Sequence, residues 1–173
     1  MKPGPEFLRL SRHYLAEDYL PRLVAVLRQL GDDDVWWRGN DASNSIGNLV
    51  LHLCGNARQW IVAGVGGAPD ARDRPAEFAR RGGLSRDELV VLLEGTIADV
   101  DAALARVTPA DLDEPRRIQG IDTTVMGAIY HVVEHFSGHV GQIVMLGKLR
   151  LGKDLGFWEI GADGTARETY RGK

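Results

Sequence analysis

The chain is poor in most features that announce a specialised setting. It has one cysteine in 173 residues, Cys54, so an intrachain disulfide cannot form and a cysteine-rich zinc module is excluded. Neither sign of charge is in excess: 21 Lys and Arg stand against 24 Asp and Glu, a formal charge of −3. That balance lacks the basic footprint of a nucleic-acid binder and the acidity of a solvating tail. No apolar run approaches the ~18 residues of a membrane span. The opening MKPGPEFLRLSRHYL places Glu6, Arg9 and Arg12 where a signal peptide needs its apolar stretch. These absences predict a cytoplasmic, reducing setting, with neither nucleic acid nor membrane as partner. A core is not lacking. With 44% hydrophobic residues, a chain of this length can bury roughly two-thirds of its unfolded surface.

Charge is also missing locally. From Ser43 to Ala63 the only formal charge is Arg58, and from Thr123 to Gly147 it is Glu134, although the chain as a whole is 26% charged. At that average the two stretches should hold about five and six charges. They hold four of the five histidines instead: His52, His131, His135 and His139.

Helical spacing organises the chain. Phe7, Leu10, Tyr14, Leu15, Leu20, Leu23, Val24 and Leu27 lie mostly three or four apart, predicting a helix over about 6–30 that Pro21 should kink or split. A polar cluster follows, in which Ser43 or Asn44 can cap a second helix over about 45–65. The stretch 64–83, rich in glycine and holding DARDRPAEFARR, is too long for an ordinary connection and reads as a structured loop or lid. Ser85 and Glu88 form a capping box for a third, amphipathic helix. A fourth runs over about 123–149. With no convincing β-alternation, the pattern predicts an all-α, four-helix bundle with one long crossover loop. It is read as a single domain over 1–173, with a core over about 6–150. The Gly-rich tail 151–173 should pack through Leu155, Phe157 and Trp158.

In the fourth helix His131, His135 and His139 lie four apart and Gln142 follows at three, so they share one face. The second helix offers Asn48, His52, Asn56 and Gln59 at similar spacings. His135 and His139 at i, i+4 is the spacing by which one helix gives two ligands to one metal, and His52 would complete a three-nitrogen set with open positions. Zinc and nickel suit such a set, as do iron and manganese. Asn56, His131, Glu134 and Gln142 are candidates for catalysis or for orienting a substrate. Two other readings stand beside this one. The histidines can be core residues that bond to one another and to Asn56 or Gln142. His131 to His135 also match H-x-x-E-H, a zinc-peptidase motif with Glu134 as base, which would need an acidic ligand from among Asp154, Glu159, Asp163 and Glu168.

The strings WWR, NSIGNLVLHLCGNARQWI, RDRPAEF and YHVVEHFSGHVGQI resemble the DinB-like, damage-inducible superfamily of metal-binding four-helix bundles, in a branch classed as a domain of unknown function. The resemblance covers about Phe7 to Leu149. It implies a divalent metal held by His52, His135 and His139, a homodimer, and, by analogy with some relatives, a thiol-dependent S-transferase or isomerase with a small thiol co-substrate. Equally it allows a non-catalytic, metal-binding, stress-associated dimer. It does not carry His131 or Glu134 over as ligands.

Other residues have plainer expectations. Arg72, Asp73, Arg74 and Glu77 form either a lid over the site, with an arginine for a substrate carboxylate, or a salt-bridge network that pins their loop. Gly47, Gly55, Gly127, Gly138 and Gly141 lie inside helices, where each costs roughly 1 kcal/mol, and suggest close approach or room beside a metal. Trp36, Trp37 and Trp60 should be core or interface packing. Cys54 should face away from the metal as a small apolar residue, and His13 should be solvated.

Overall fold

The structure, a computed structural model, describes residues 2–171. It is mostly helical. A first rod comprises α1 (Pro3–His13), a π-helical stretch Tyr14–Tyr19 and α2 (Leu20–Leu27). The short α3 (Asp32–Val35) leads to α4 (Ile46–Ala57), extended by a second π stretch, Arg58–Ala63. Next come α5 (Arg74–Ala79), α6 (Arg86–Leu104), a 3-10 turn Pro109–Asp113, strands β1 (Pro115–Ile118) and β2 (Ile121–Thr124), then α7 (Val125–Leu151). Strands β3 (Trp158–Ile160) and β4 (Ala166–Glu168) end the described chain.

Four long rods, built on α1–α2, α4, α6 and α7, pack against one another. Leu23, Leu27, Leu53, Ile61, Leu93, Ile129 and Phe136 are all 0% exposed at their centre. Helical spacing carries these side chains to one side of each rod, and burying each stabilises the fold by roughly 1.5–3 kcal/mol.

Pro21 does not break the first rod. The amide of Leu20 reaches five residues back, to Leu15 O, so the helix widens just ahead of the proline. The missing proline amide then falls in the first turn of α2, where such a loss is tolerated. The cap of α4 is Ser45, rather than Ser43 or Asn44: its hydroxyl accepts from Asn48 N at 3.1 Å and its amide donates to Asn48 Oδ1 at 3.2 Å. The Ser85–Glu88 box starts α6 as its sequence predicts.

Two antiparallel hairpins depart from an all-α reading. The first pairs Ile118 with Ile121 around Gln119 and Gly120, both with positive φ (53° and 77°), the conformation that a tight two-residue hairpin turn requires. Its strands, PRRI and IDTT, are too short and too polar to alternate visibly. The hairpin hands the chain to α7, which Thr124 caps by accepting from Gly127 N at 3.1 Å. The second hairpin docks the tail through Leu155, Phe157 and Tyr170. Trp158, expected to pack, is 49% exposed, whereas Tyr170 is 1% exposed. The Tyr170 hydroxyl gives it a buried partner in Asp18, and Trp158 lies on a two-stranded ribbon with an open face.

The loop 64–83 holds α5, which packs on α4. Asn48 Nδ2 donates to the carbonyls of Glu77 and Arg80 at 2.8 and 2.9 Å, and Arg38 Nη2 donates to Phe78 O at 3.3 Å. These bonds fix the loop against the first turn of α4, one turn before His52. Among the described residues no helix is long and apolar enough to cross a membrane.

Candidate metal centre

His52 on α4 and His135 and His139 on α7 offer ring nitrogens that all lie within 4.8 Å of one another. The register explains this convergence. α4 and α7 pack side by side, His135 and His139 stand one turn apart on α7, and His52 meets them from the facing rod. His52 Nε2 and His135 Nε2 are 2.9 Å apart. His52 is buried and the other two are half-buried.

Each ring's proton has a traceable place. His52 Nδ1 donates to Glu77 Oε2 at 2.9 Å. Arg72 Nη2 also lies 3.1 Å from this nitrogen, but Nη2 donates to Glu77 Oε2 at 3.0 Å, and a carboxylate held ionised can only accept, so Nδ1 carries the proton that Glu77 accepts. With its proton on Nδ1, His52 has its Nε2 lone pair free to accept, and His135 Nε2–H donates to it. His139 Nδ1–H donates to Gln142 Oε1 at 2.8 Å, which leaves His139 Nε2 bare as well. Burial pushes the three imidazoles of α7 down. His135 falls to about 3, by desolvation first and then by the neighbouring rings, and His139 and His131 fall in the same direction with desolvation as the leading cause. These three rings therefore stay neutral at pH 7, the form in which imidazole binds a metal.

His131 lies one turn before His135, with ring centroids 5.4 Å apart, but it is not part of the converging set. Its Nε2 faces Asn56 Nδ2 at 3.1 Å and its ring lies 4.2 Å from that of Trp60. Beside it, Asn56 Oδ1 and Trp60 Nε1 are buried without a hydrogen-bond partner. The π stretch explains part of this arrangement. It inserts one residue in the turn after Asn56, swinging Trp60 to His131 and Gln59 to the loop, where Gln59 Oε1 accepts from Arg72 Nη1 at 3.0 Å. The predicted polar stripe of α4 thus divides its work: His52 and Asn56 meet α7, while Asn48 and Gln59 hold the loop.

The Arg72–Glu77 pair was legible in the sequence only as a lid or a local salt bridge. It is a salt bridge, Arg72 Nε to Glu77 Oε1 at 2.7 Å, with side chains 3% and 9% exposed, and it ends on a histidine of the site. Burial alone would raise the Glu77 carboxyl, but the hydrogen bonds from His52 and Arg72 outweigh it and hold the group below its ordinary value. Behind this pair lies a cavity of about 800 Å³ between α4, the loop and α6, lined by Leu51, Cys54, Val62 and Leu92 among others. Cys54 is buried as expected, its thiol pushed up to about 12 by desolvation.

The remaining expectations sort plainly. Glu134 is exposed. Asp154, Glu159, Asp163 and Glu168 pair or bond within the tail and with Lys148 or Arg22 instead of joining the histidines. Of the helical glycines, Gly47 receives the Trp36 ring and Gly55 the Glu77 carboxylate, whereas a Cβ at Gly138 or Gly141 would meet nothing within 4 Å. Trp36 Nε1 donates to Leu84 O at 2.8 Å, and Arg150 lies over Trp37. His13 is half-exposed and pairs with Glu17.

Residues 4–161 match the model of a family described as a protein of unknown function, DUF1572. Among solved structures, a conserved protein of an Enterococcus faecalis locus is similar, with a TM-score of 0.70 at 18% identity over 88% of this chain and 99% of that one. At that identity the likeness concerns the fold. No curated protein matches the chain.

Proposed function

The chain belongs to the DUF1572 family, and from the histidines its helices bring together we propose that it is a metal-dependent protein in which His52, His135 and His139 hold one divalent ion. The observation that carries this reading is the convergence of three imidazole ring nitrogens within 4.8 Å, two of them left bare by hydrogen bonds on the opposite edge of the ring. Zinc or nickel suits this donor set best, with iron and manganese also compatible. We read the four rods as the DinB-like four-helix bundle with one long crossover loop, forming a single domain.

The donor set fits a reactive site better than a closed structural one. Among the described residues no fourth His, Cys, Asp or Glu joins the three, and Glu77 has its charge matched by Arg72. A divalent ion bound there supplies Lewis-acid chemistry, lowering the pKa of a water or a low-molecular-weight thiol. The chain's own residues do the rest. Glu77 and Gln142 keep two rings in the tautomer that presents Nε2. Asn56, Trp60 and His131 stand beside the cluster with a buried acceptor and a buried donor free of protein partners, suited to orienting a polar substrate group. We propose an S-transferase or isomerase type of reaction on this basis, and a homodimer as the assembled form. Glu134, exposed on α7, has no place in this scheme as a base.

The test is metal analysis of tag-free protein against His135→Ala. One divalent ion per chain in the wild type and none in the variant is expected; no metal in either sinks the reading. Conjugation of several small thiols to a generic electrophile by the metal-loaded protein, lost in His135→Ala, is then expected. Its absence with every thiol would leave a binding protein instead of a transferase.

A further inference from the structure

Glu77 reaches the site from a loop, 25 residues beyond His52 in the chain, and every polar atom at its tip is engaged. The carboxylate accepts from His52 Nδ1 at 2.9 Å, from Arg72 Nε at 2.7 Å and from Arg72 Nη2 at 3.0 Å. Arg72 is fixed in turn by Gln59 through its Nη1. The backbone of Glu77 is fixed by Asn48. A carboxylate this deeply buried is costly unless paired and hydrogen-bonded, and the arginine fork meets that need with two parallel bonds. Pinning the loop would be complete with Arg72 and Asn48 alone. The third bond, to the far edge of an imidazole whose near edge joins the converging nitrogens, calls for a different explanation.

We propose that Glu77 is a positioning residue for His52, with Arg72 as its counter-ion, so that the loop 68–80 belongs to the metal centre without supplying a ligand. This rests on the reading of the three histidines as ligands. The carboxylate acts in two ways. It fixes the tautomer and the ring plane of His52, which removes the entropy of orienting that ligand, and it raises the basicity of Nε2 by accepting the hydrogen bond from Nδ1–H. Arg72 cancels the carboxylate's charge at the loop side, so the interaction strengthens the ligand while adding no net charge to the site. Gly55 makes the contact possible, because a Cβ there would overlap the Glu77 carboxylate.

The experiment measures zinc affinity of the full chain by chelator competition in the wild type, Glu77→Gln and Arg38→Met. The last variant loosens the loop by removing the Arg38 bonds to Asn48 Oδ1 at 2.6 Å and to Phe78 O at 3.3 Å, without touching His52 or the Glu77 carboxylate. Affinity is expected to fall about 10–100-fold in Glu77→Gln and to change less than about twofold in Arg38→Met. Equal affinity for wild type and Glu77→Gln overturns the inference, as does an equal loss in both variants, which would mean that the loop matters only as packing. A nitrogen-15 spectrum of the metal-free wild type gives an answer that no folding defect can obscure: His52 protonated on Nδ1 is expected, and protonation on Nε2 alone overturns the role of Glu77. A wild type that binds no zinc, nickel, iron or manganese overturns the ligand reading itself; one that binds zinc while Glu77→Gln binds it equally overturns only the positioning role.

Discussion

Gly55 and Glu77 share one volume: the carboxylate of Glu77 occupies the space into which a Cβ on Gly55 would project. Gly55→Ala therefore sets two effects against each other. Alanine gains roughly 1 kcal/mol of helix propensity, while displacing a buried, paired carboxylate costs about 1–3 kcal/mol and weakens its bond to His52. The clash should win, giving a net loss in urea unfolding. Gly138→Ala, where a Cβ meets nothing within 4 Å, should instead gain up to about 1 kcal/mol. Similar gains at both positions would mean that Glu77 does not stand against α4.

Metal should stabilise the fold measurably. An ion that binds only the folded chain adds about 2.7 kcal/mol at a hundred times its dissociation constant, or about 5–10 °C in Tm for a chain of this length. Thermal scans with and without zinc should show the shift in the wild type and in Glu134→Gln. His52→Ala and His135→Ala should lose it. A shift that survives both alanine variants would place the ion elsewhere.

Acid should weaken the metal-free protein earlier than carboxylate titration alone would. Burial holds His131, His135 and His139 below their ordinary values, His135 at about 3, whereas in the unfolded chain they take up protons near pH 6.5. Below that pH the unfolded state binds more protons, so their stabilising contribution is full above about 6.5 and declines as pH falls towards 3. Urea midpoints should be level from pH 8 to 7 and fall by pH 5, and His135→Leu should flatten that decline. A midpoint unchanged at pH 5 would show the rings to be solvated.

The tail should matter to stability. Tyr170 donates to Asp18 Oδ1 at 2.6 Å, an atom that also accepts from Arg22 Nη2 at 2.8 Å. Tyr170→Phe leaves the ring packed and removes one hydrogen bond to a buried carboxylate, for a loss of about 1–3 kcal/mol. An unchanged unfolding midpoint would mean that the second hairpin is not docked.

Much of the site was legible before folding is considered. The i, i+4 histidines of α7, the His52 stripe on α4 and the depletion of charge around them locate the three converging residues, because side-chain direction along a helix follows from its own periodicity. Glu77 was not. Its run reads as a lid or as a salt bridge that pins its own loop, and nothing local says that its carboxylate turns inward to a histidine. Trp60 packs in the core as its sequence predicts, but its contact with His131 was hidden by the π stretch, which shifts the helical periodicity after Asn56. Tyr170 was hidden because a tail residue's burial depends on which rod the hairpin meets.

The sequence by itself determined the helical rods and the faces they turn inward, including the neutral faces that bear His52, His135 and His139. These are short-range properties, set by spacing along one axis and by the cost of burying charge. Only the tertiary structure decided which nitrogen each ring presents and which groups complete its hydrogen bonds. Tautomer and partner depend on atoms far apart in the chain, such as Glu77 against His52 and Asn56 against His131. What brings them together is the requirement that buried polar groups be satisfied, and that requirement is met only after the rods have packed.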